Sequence, residues 1–220
     1  MLEISNIKIY DLEESVIASR NAMRLTPPEY TQEEFEQSLE RAKKLAQTPN
    51  SSGHQTFLSG IRVSFDIKYP NYISPELQRY HWVDIVTSAS KMHRLMEMDL
   101  DMVCNEYVTQ KSIDNMRELI QMYKDIKNDD NFVGYSCYLR NGVRKYTTSK
   151  QKALYWAFMK CISNCPQGIE LFMRCSTNYL QLKNIYHQRK NHKLIEDWQE
   201  GFSSRKRSSI WALFSLALLF

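Results

Sequence analysis

The stretch Ile61–Tyr69, IRVSFDIKY, sets the frame of the chain. Ile61, Val63, Phe65, Ile67 and Tyr69 alternate with Arg62, Ser64, Asp66 and Lys68. A period of two sends successive side chains to opposite faces, so this segment predicts a half-buried strand with one apolar face. A strand of that kind needs neighbours. Upstream, IKIYDL alternates Ile7 and Ile9, extending at most to Leu12, and predicts an edge strand; downstream, the short apolar run GIELFMRC (Gly168–Cys175) predicts another.

Helical patterns fill the intervals. SVIASRNAMR (Ser15–Arg24) predicts a helix that TPPEY interrupts, because proline disfavours helix at itself and at the residue before it. TQEEFEQSLERAKKLAQ has a Thr31 cap, an acidic first turn and a basic last turn, and the loop TPNSSGHQ follows it. SPELQRYHWVDIVTSASKMHRLMEMDLD (Ser74–Asp101) predicts a further helix, with apolar spacing through Leu77, Trp82, Ile85 and Val86. SIDNMRELIQMYKDI presents Ile113, Met116, Ile120 and Tyr123 on one side, NDDNFVG is a loop, and Thr148 or Ser149 caps the helix through Ile162. NCPQG stops that helix. The last one starts at STNYLQLKN with Ser176 or Thr177 as its cap. No repeat or linker interrupts the pattern, which predicts a single α+β domain over residues 1–202, with 203–220 as a tail.

The 220 residues are 43% hydrophobic and 25% charged, an ordinary globular balance that can bury a core. A net charge of +4, with basic and acidic residues interspersed, predicts no nucleic-acid polymer as partner. Five cysteines, at 104, 137, 161, 165 and 175, form no CxxC pair. That odd count, with no signal-like N-terminus, predicts reduced thiols and a cytoplasmic protein. The tail SSRKRSSIWALFSLALLF breaks the composition. Its apolar part, Ile210–Phe220, falls short of the roughly 20 residues a membrane span requires, and either packs on the body, docks on a partner or lies at an interface.

The chemistry legible in the residues is mostly exclusion. The six glycines form neither GxGxxG nor GxxxxGK. The five histidines have no HExxH or zinc-knuckle spacing, so no metal is expected, and Cys161 and Cys165 read as core thiols. No GxSxG elbow or reactive-cysteine signature supplies a nucleophile. Polar and cationic residues instead gather at element junctions, in GHQT, QRYH and SASKMHR and on the last helix. On that helix Leu182, Ile185 and Arg189 fall within about 60° of one another, counting 100° per residue from Asn178. A guanidinium on an apolar stripe stays charged, so Arg189 either snorkels to water or meets an anion.

The order of these junction residues resembles the flavin-dependent thymidylate synthases, which make dTMP from dUMP using FAD. That family has an asparagine, an asparagine or histidine six residues on, and an arginine five beyond; here these are Asn178, Asn184 and Arg189. GHQTFLSG (Gly53–Gly60) resembles the family's G-H-E-T-P-F-E-H run. Counting on from Thr56 without a gap lays the family's arginine-rich signature on RYHWVDIVTSASKM. Arg79 keeps its first arginine. Tyr80 and His81 replace the next histidine and arginine, and Thr87, Ala89 and Lys91 stand in place of glutamate, serine and arginine. A further family arginine aligns with Ile162, where Lys160 or Arg174 would have to substitute.

The resemblance implies a central, mostly antiparallel sheet packed by helices, and a homotetramer whose shared groove holds FAD and dUMP. It implies that Arg189 contacts the uracil as the catalytic residue. Arg79, Lys91, Glu76 and either Ser88 or Ser90 would bind the substrate, and His54, Thr56, Arg79, Tyr80, His81, Asn178 and Asn184 the flavin. Methylenetetrahydrofolate and NADPH follow as co-substrates. The substitutions in the signature equally fit a relative that binds a pyrimidine nucleotide or flavin without synthase activity, and the tail fits an interaction module for nucleic acid or membrane.

Overall fold

A computed structural model describes residues 2–49 and 52–189. Its strands are β1 (Glu3–Tyr10), β2 (Arg62–Pro70), β3 (Asp84–Ser88), β4 (Tyr135–Tyr138), β5 (Arg144–Thr147) and β6 (Glu170–Asn178). Its helices are α1 (Leu12–Ala18), α2 (Gln32–Ala46), α3 (Ser74–Gln78), α4 (Lys91–Arg94), α5 (Leu100–Val103), α6 (Gln110–Asn128), α7 (Lys150–Asn164) and α8 (Tyr179–Arg189). The chain is mixed helix and sheet, and it divides into two compact units. The first comprises Met1–Tyr69, Ile73–Ala89 and the chain from Phe172 on; the second comprises Pro70–Tyr72 and Ser90–Leu171.

The first unit is built on a four-stranded sheet in the order β1-β2-β6-β3. β1 pairs antiparallel with β2, and β3 antiparallel with β6. Between the central strands, Ser64 meets Ser176 and Asp66 meets Arg174, so numbers rise on β2 as they fall on β6 and this pair is antiparallel too. That register sets Val63, Phe65 and Ile67 opposite Thr177, Cys175 and Met173, all of them buried. The alternation in IRVSFDIKY therefore reports a real apolar face. The other face is polar: Arg174 donates to Asp66 (3.1 Å) and to the Asn6 carbonyl (2.9 Å). The hydrogen bond from Asn6, at 2.6 Å, and then the Arg174 guanidinium hold the Asp66 carboxyl below its ordinary range.

β1 is the expected edge strand. It carries a bulge between Ser5 and Lys8, where Asn6 takes φ 48°. Leu12 does not continue it. A left-handed Asp11, φ 59°, turns the chain, and Leu12 opens α1, which packs on α2 through Val16, Ala42, Leu39 and Phe35. Thr31 caps α2 as expected, accepting the Glu34 N–H.

The Ser74–Asp101 segment departs from the sequence expectation of one helix. α3 stops at Gln78, and the β-branched run Ile85, Val86, Thr87 joins the sheet as β3 against β6. Of the four residues expected on an apolar helical stripe, Leu77 alone is buried; Trp82, Ile85 and Val86 are exposed. Val86 is the extra residue of a bulge between Ile85 and Thr87.

In the second unit α6 packs on α7, and Leu95, Leu100, Ile113, Met116, Ile120, Cys161 and Ile169 form its main core. Ser149 caps α7, accepting the Lys152 N–H. The β4–β5 hairpin lies outside the sequence expectations, because its alternation in YSCY and RKYT spans four residues a side. All five cysteines are free thiols. No helix among the described residues is long and apolar enough to cross a membrane, and the 203–220 tail lies outside the described residues.

Candidate active site

Three of the junction segments meet at the C-terminal end of β6, within the first unit. Thr177, fully buried, donates its hydroxyl to the Trp82 carbonyl (2.6 Å) and so fastens the QRYHW segment to the strand. One residue on, Asn178 ends β6 and caps α8, its Oδ1 accepting the Gln181 N–H at 3.0 Å. Ser176 and Thr177 remain in the strand, so the expectation that one of them caps the helix is corrected: the buried alternation of β6 runs on through Thr177. Tyr179 then donates its backbone N–H to the Ile61 carbonyl (2.9 Å), and α8 packs on the 3-10 turn Thr56–Ser59 that follows GHQ.

The end of α2 clamps this junction. A helix leaves its last carbonyls without intrahelical donors. Here the Lys183 ammonium on α8 donates to the Ala46 carbonyl (2.5 Å), and the Gln55 amide donates to the Thr48 carbonyl. Desolvation lowers the pKa of Lys183, and the carbonyl partner fixes its head group at the C-terminal, negative end of the α2 dipole. Gln55 is 2% exposed and its Oε1 has no hydrogen-bond partner among the described residues, which leaves a buried acceptor inside the GHQT motif. Gln55 and Lys183 lie outside the sequence expectations, and Thr177, expected as a helix cap, instead donates to the Trp82 carbonyl.

The expected site residues are distributed as follows. His54 and Thr56 are exposed on the turn, where Thr56 donates its hydroxyl to the Gly53 carbonyl at 2.5 Å. Arg79 is exposed just after α3 and pairs with Glu76 at 3.2 Å; Tyr80 is half-buried and His81 exposed. Ser88 ends β3, exposed and opposite Met173. Asn184 is half-buried on α8, between the buried Leu182 and Ile185. Arg189 is the last residue of α8, and its side chain lies outside those described. Ser90 and Lys91 belong to the second unit. There Ser90 caps α4, accepting the His93 N–H, and the Lys91 ammonium is 3.5 Å from Asn71 Oδ1. Arg174, one of the two substitutes considered for the family arginine at Ile162, is spent on Asp66; Lys160 has no carboxylate partner among the described residues.

The donors at this junction fit a flavin in kind. His54 and His81 are exposed, Thr56 keeps an acceptor lone pair, the Asn178 side chain keeps its amide N–H group for a ring acceptor, and Arg79 is exposed beside the half-buried Glu76. No thiolate is offered. Burial raises the pKa of Cys104 and Cys165, and pushes Cys161 and Cys175 up to about 11.

No protein-family model and no curated protein matches the chain. Solved structures do. A crystal structure of thymidylate synthase X from Helicobacter pylori with FAD and dUMP superposes with a TM-score of 0.59, at 14% identity, over 99% of both chains. A second structure, of flavin-dependent thymidylate synthase from the same organism complexed with FAD and dUMP, gives 0.51 at 12% identity, over 90% of this chain and 93% of that one. The fold of this chain is that of flavin-dependent thymidylate synthases.

Proposed function

We propose that the chain is a divergent flavin-dependent thymidylate synthase, a cytoplasmic homotetramer that methylates dUMP reductively to dTMP with methylenetetrahydrofolate and NADPH. The observation that carries this reading is the convergence at the end of β6. The segments bearing Asn178–Arg189, GHQT and QRYHW, widely separated in sequence, are tied together there by the Tyr179–Ile61 and Thr177–Trp82 hydrogen bonds and by α8 packing on the 56–59 turn. The whole-chain fold likeness supports it independently.

In this reading His54, Thr56, Arg79, Tyr80, His81, Asn178 and Asn184 hold FAD, which when bound supplies the hydride. Arg79, Lys91, Glu76 and either Ser88 or Ser90 are the substrate-binding residues of this reading, Lys91 acting as a point charge rather than a bidentate fork. Arg189 sets its permanently charged guanidinium against the uracil. That charge favours loss of the N3 proton and stabilises the enolate-like electron density, so that C5 attacks the one-carbon unit without an enzyme thiolate. The buried, protonated cysteines agree with that route.

A second reading, a nucleotide- or flavin-binding relative without synthase activity, is favoured by the capping role of Ser90, whose Oγ accepts the His93 N–H and is thereby held at the start of α4. The visible spectrum of the purified protein and dUMP calorimetry test both, and turnover separates them: tight dUMP binding with no tritium released from its labelled C5 position favours the second reading. The synthase reading expects a yellow protein with oxidised-flavin bands and saturable dUMP binding. Colourless protein that takes up neither FAD nor dUMP overturns both.

A further inference from the structure

The second unit contains a half-open cleft of about 870 Å³ between α6, α7 and the β4–β5 hairpin. Its size falls within the roughly 300–1,000 Å³ typical of small-molecule sites. Three cations line it, Arg140, Lys145 and Lys160, and no carboxylate does. Among the described residues none of the three forms an ion pair.

The cations are held apart by rigid elements. Arg140 lies in the hairpin turn, closed by the Gly142 N–H to Leu139 carbonyl bond at 3.0 Å, with Gly142 at φ 78°, a value that suits glycine. Lys145 comes from β5 and places its ammonium 5.4 Å from the Trp156 ring centroid. Lys160 stands one turn after Trp156 on α7. Tyr138 and Tyr155, 64% and 61% exposed, add two open aromatic rings to the lining. Asn115, Ser163 and Asn164 supply neutral hydrogen-bonding groups. Ile162, aligned with the family arginine, packs against the core and does not line the cleft.

From this lining we infer that the cleft binds a mononucleotide, a phosphate carried next to a planar base. Inorganic phosphate would use the cations and leave the rings idle; an apolar ligand would leave three charges uncompensated. A base stacks on an exposed tyrosine, its edge meets the amides, and the phosphate meets the cations. This inference stands apart from the dUMP site proposed in the first unit.

Calorimetry with AMP and UMP on the full chain tests it, with inorganic phosphate, a polyglutamate decapeptide and a single-stranded decanucleotide as separate arms. At least one mononucleotide should bind, tenfold or more tightly than phosphate. Lys145→Gln/Lys160→Gln should weaken that binding at least tenfold and Tyr155→Ala at least threefold, with unchanged circular dichroism and melting temperature. The inference is overturned if neither mononucleotide binds, if phosphate or the peptide binds as tightly, or if the decanucleotide binds tenfold better than the monomers. It is also overturned if the cleft variants bind the mononucleotide as tightly as the parent.

Discussion

β2 and β3 belong to the same sheet, yet they divide its work. β2 is central, and its residues at 63, 65 and 67 are buried against the alternate residues of β6. β3 is an edge strand, exposed along its whole length and bulged at Val86. The frame is thus held by side chains on one strand, while the other is held by backbone pairing and by Thr177 gripping Trp82. A substitution on β3 should therefore cost the fold less than one on β2.

The contrast can be broken most directly in the core. Phe65→Ala should cost about 3–5 kcal/mol in urea denaturation, because a cavity is left where the two central strands close on one another. Thr177→Val should cost about 1–3 kcal/mol by leaving the Trp82 carbonyl without its donor, and should raise amide exchange across residues 79–83 more than across β2. Asp66 sharpens the comparison through pH. Its carboxyl is depressed in the folded state, so its contribution is present above the unfolded value near 3.9 and is lost as pH falls through the lower folded value. Asp66→Asn should therefore flatten the fall of stability below about pH 4, read as melting temperature against pH. Val86→Thr, on the exposed bulge, should stay within about 0.5 kcal/mol of the parent.

The same contrast explains what was legible in the sequence. IRVSFDIKY and SIDNMRELIQMYKDI could be read because each has one face in water and one in the core, which imprints a period of two or of 3.6. β3 has no buried face to imprint, and its Ile85 and Val86, with Trp82 ahead of it, happen to fall at helical spacing. The β4–β5 hairpin is too short to show its alternation. At the site, Asn178 was found as a motif residue, but its capping role was not, because Ser176 and Thr177 are equally good caps and the length of β6 decides among them. Lys183 and Gln55 were invisible for another reason: their partners are backbone carbonyls at the end of α2, and tertiary structure alone brings those within reach.

The proposed function requires this fold to perform chemistry at C5 of dUMP. Tritium release from dUMP labelled at C5, with FAD, NADPH and methylenetetrahydrofolate supplied, tests it in one assay. Release should require all three and fall by roughly 100-fold or more in Arg189→Lys, which keeps the charge but loses the planar fork. No release from folded, flavin-loaded protein, or release indifferent to the Arg189→Lys change, would contradict it.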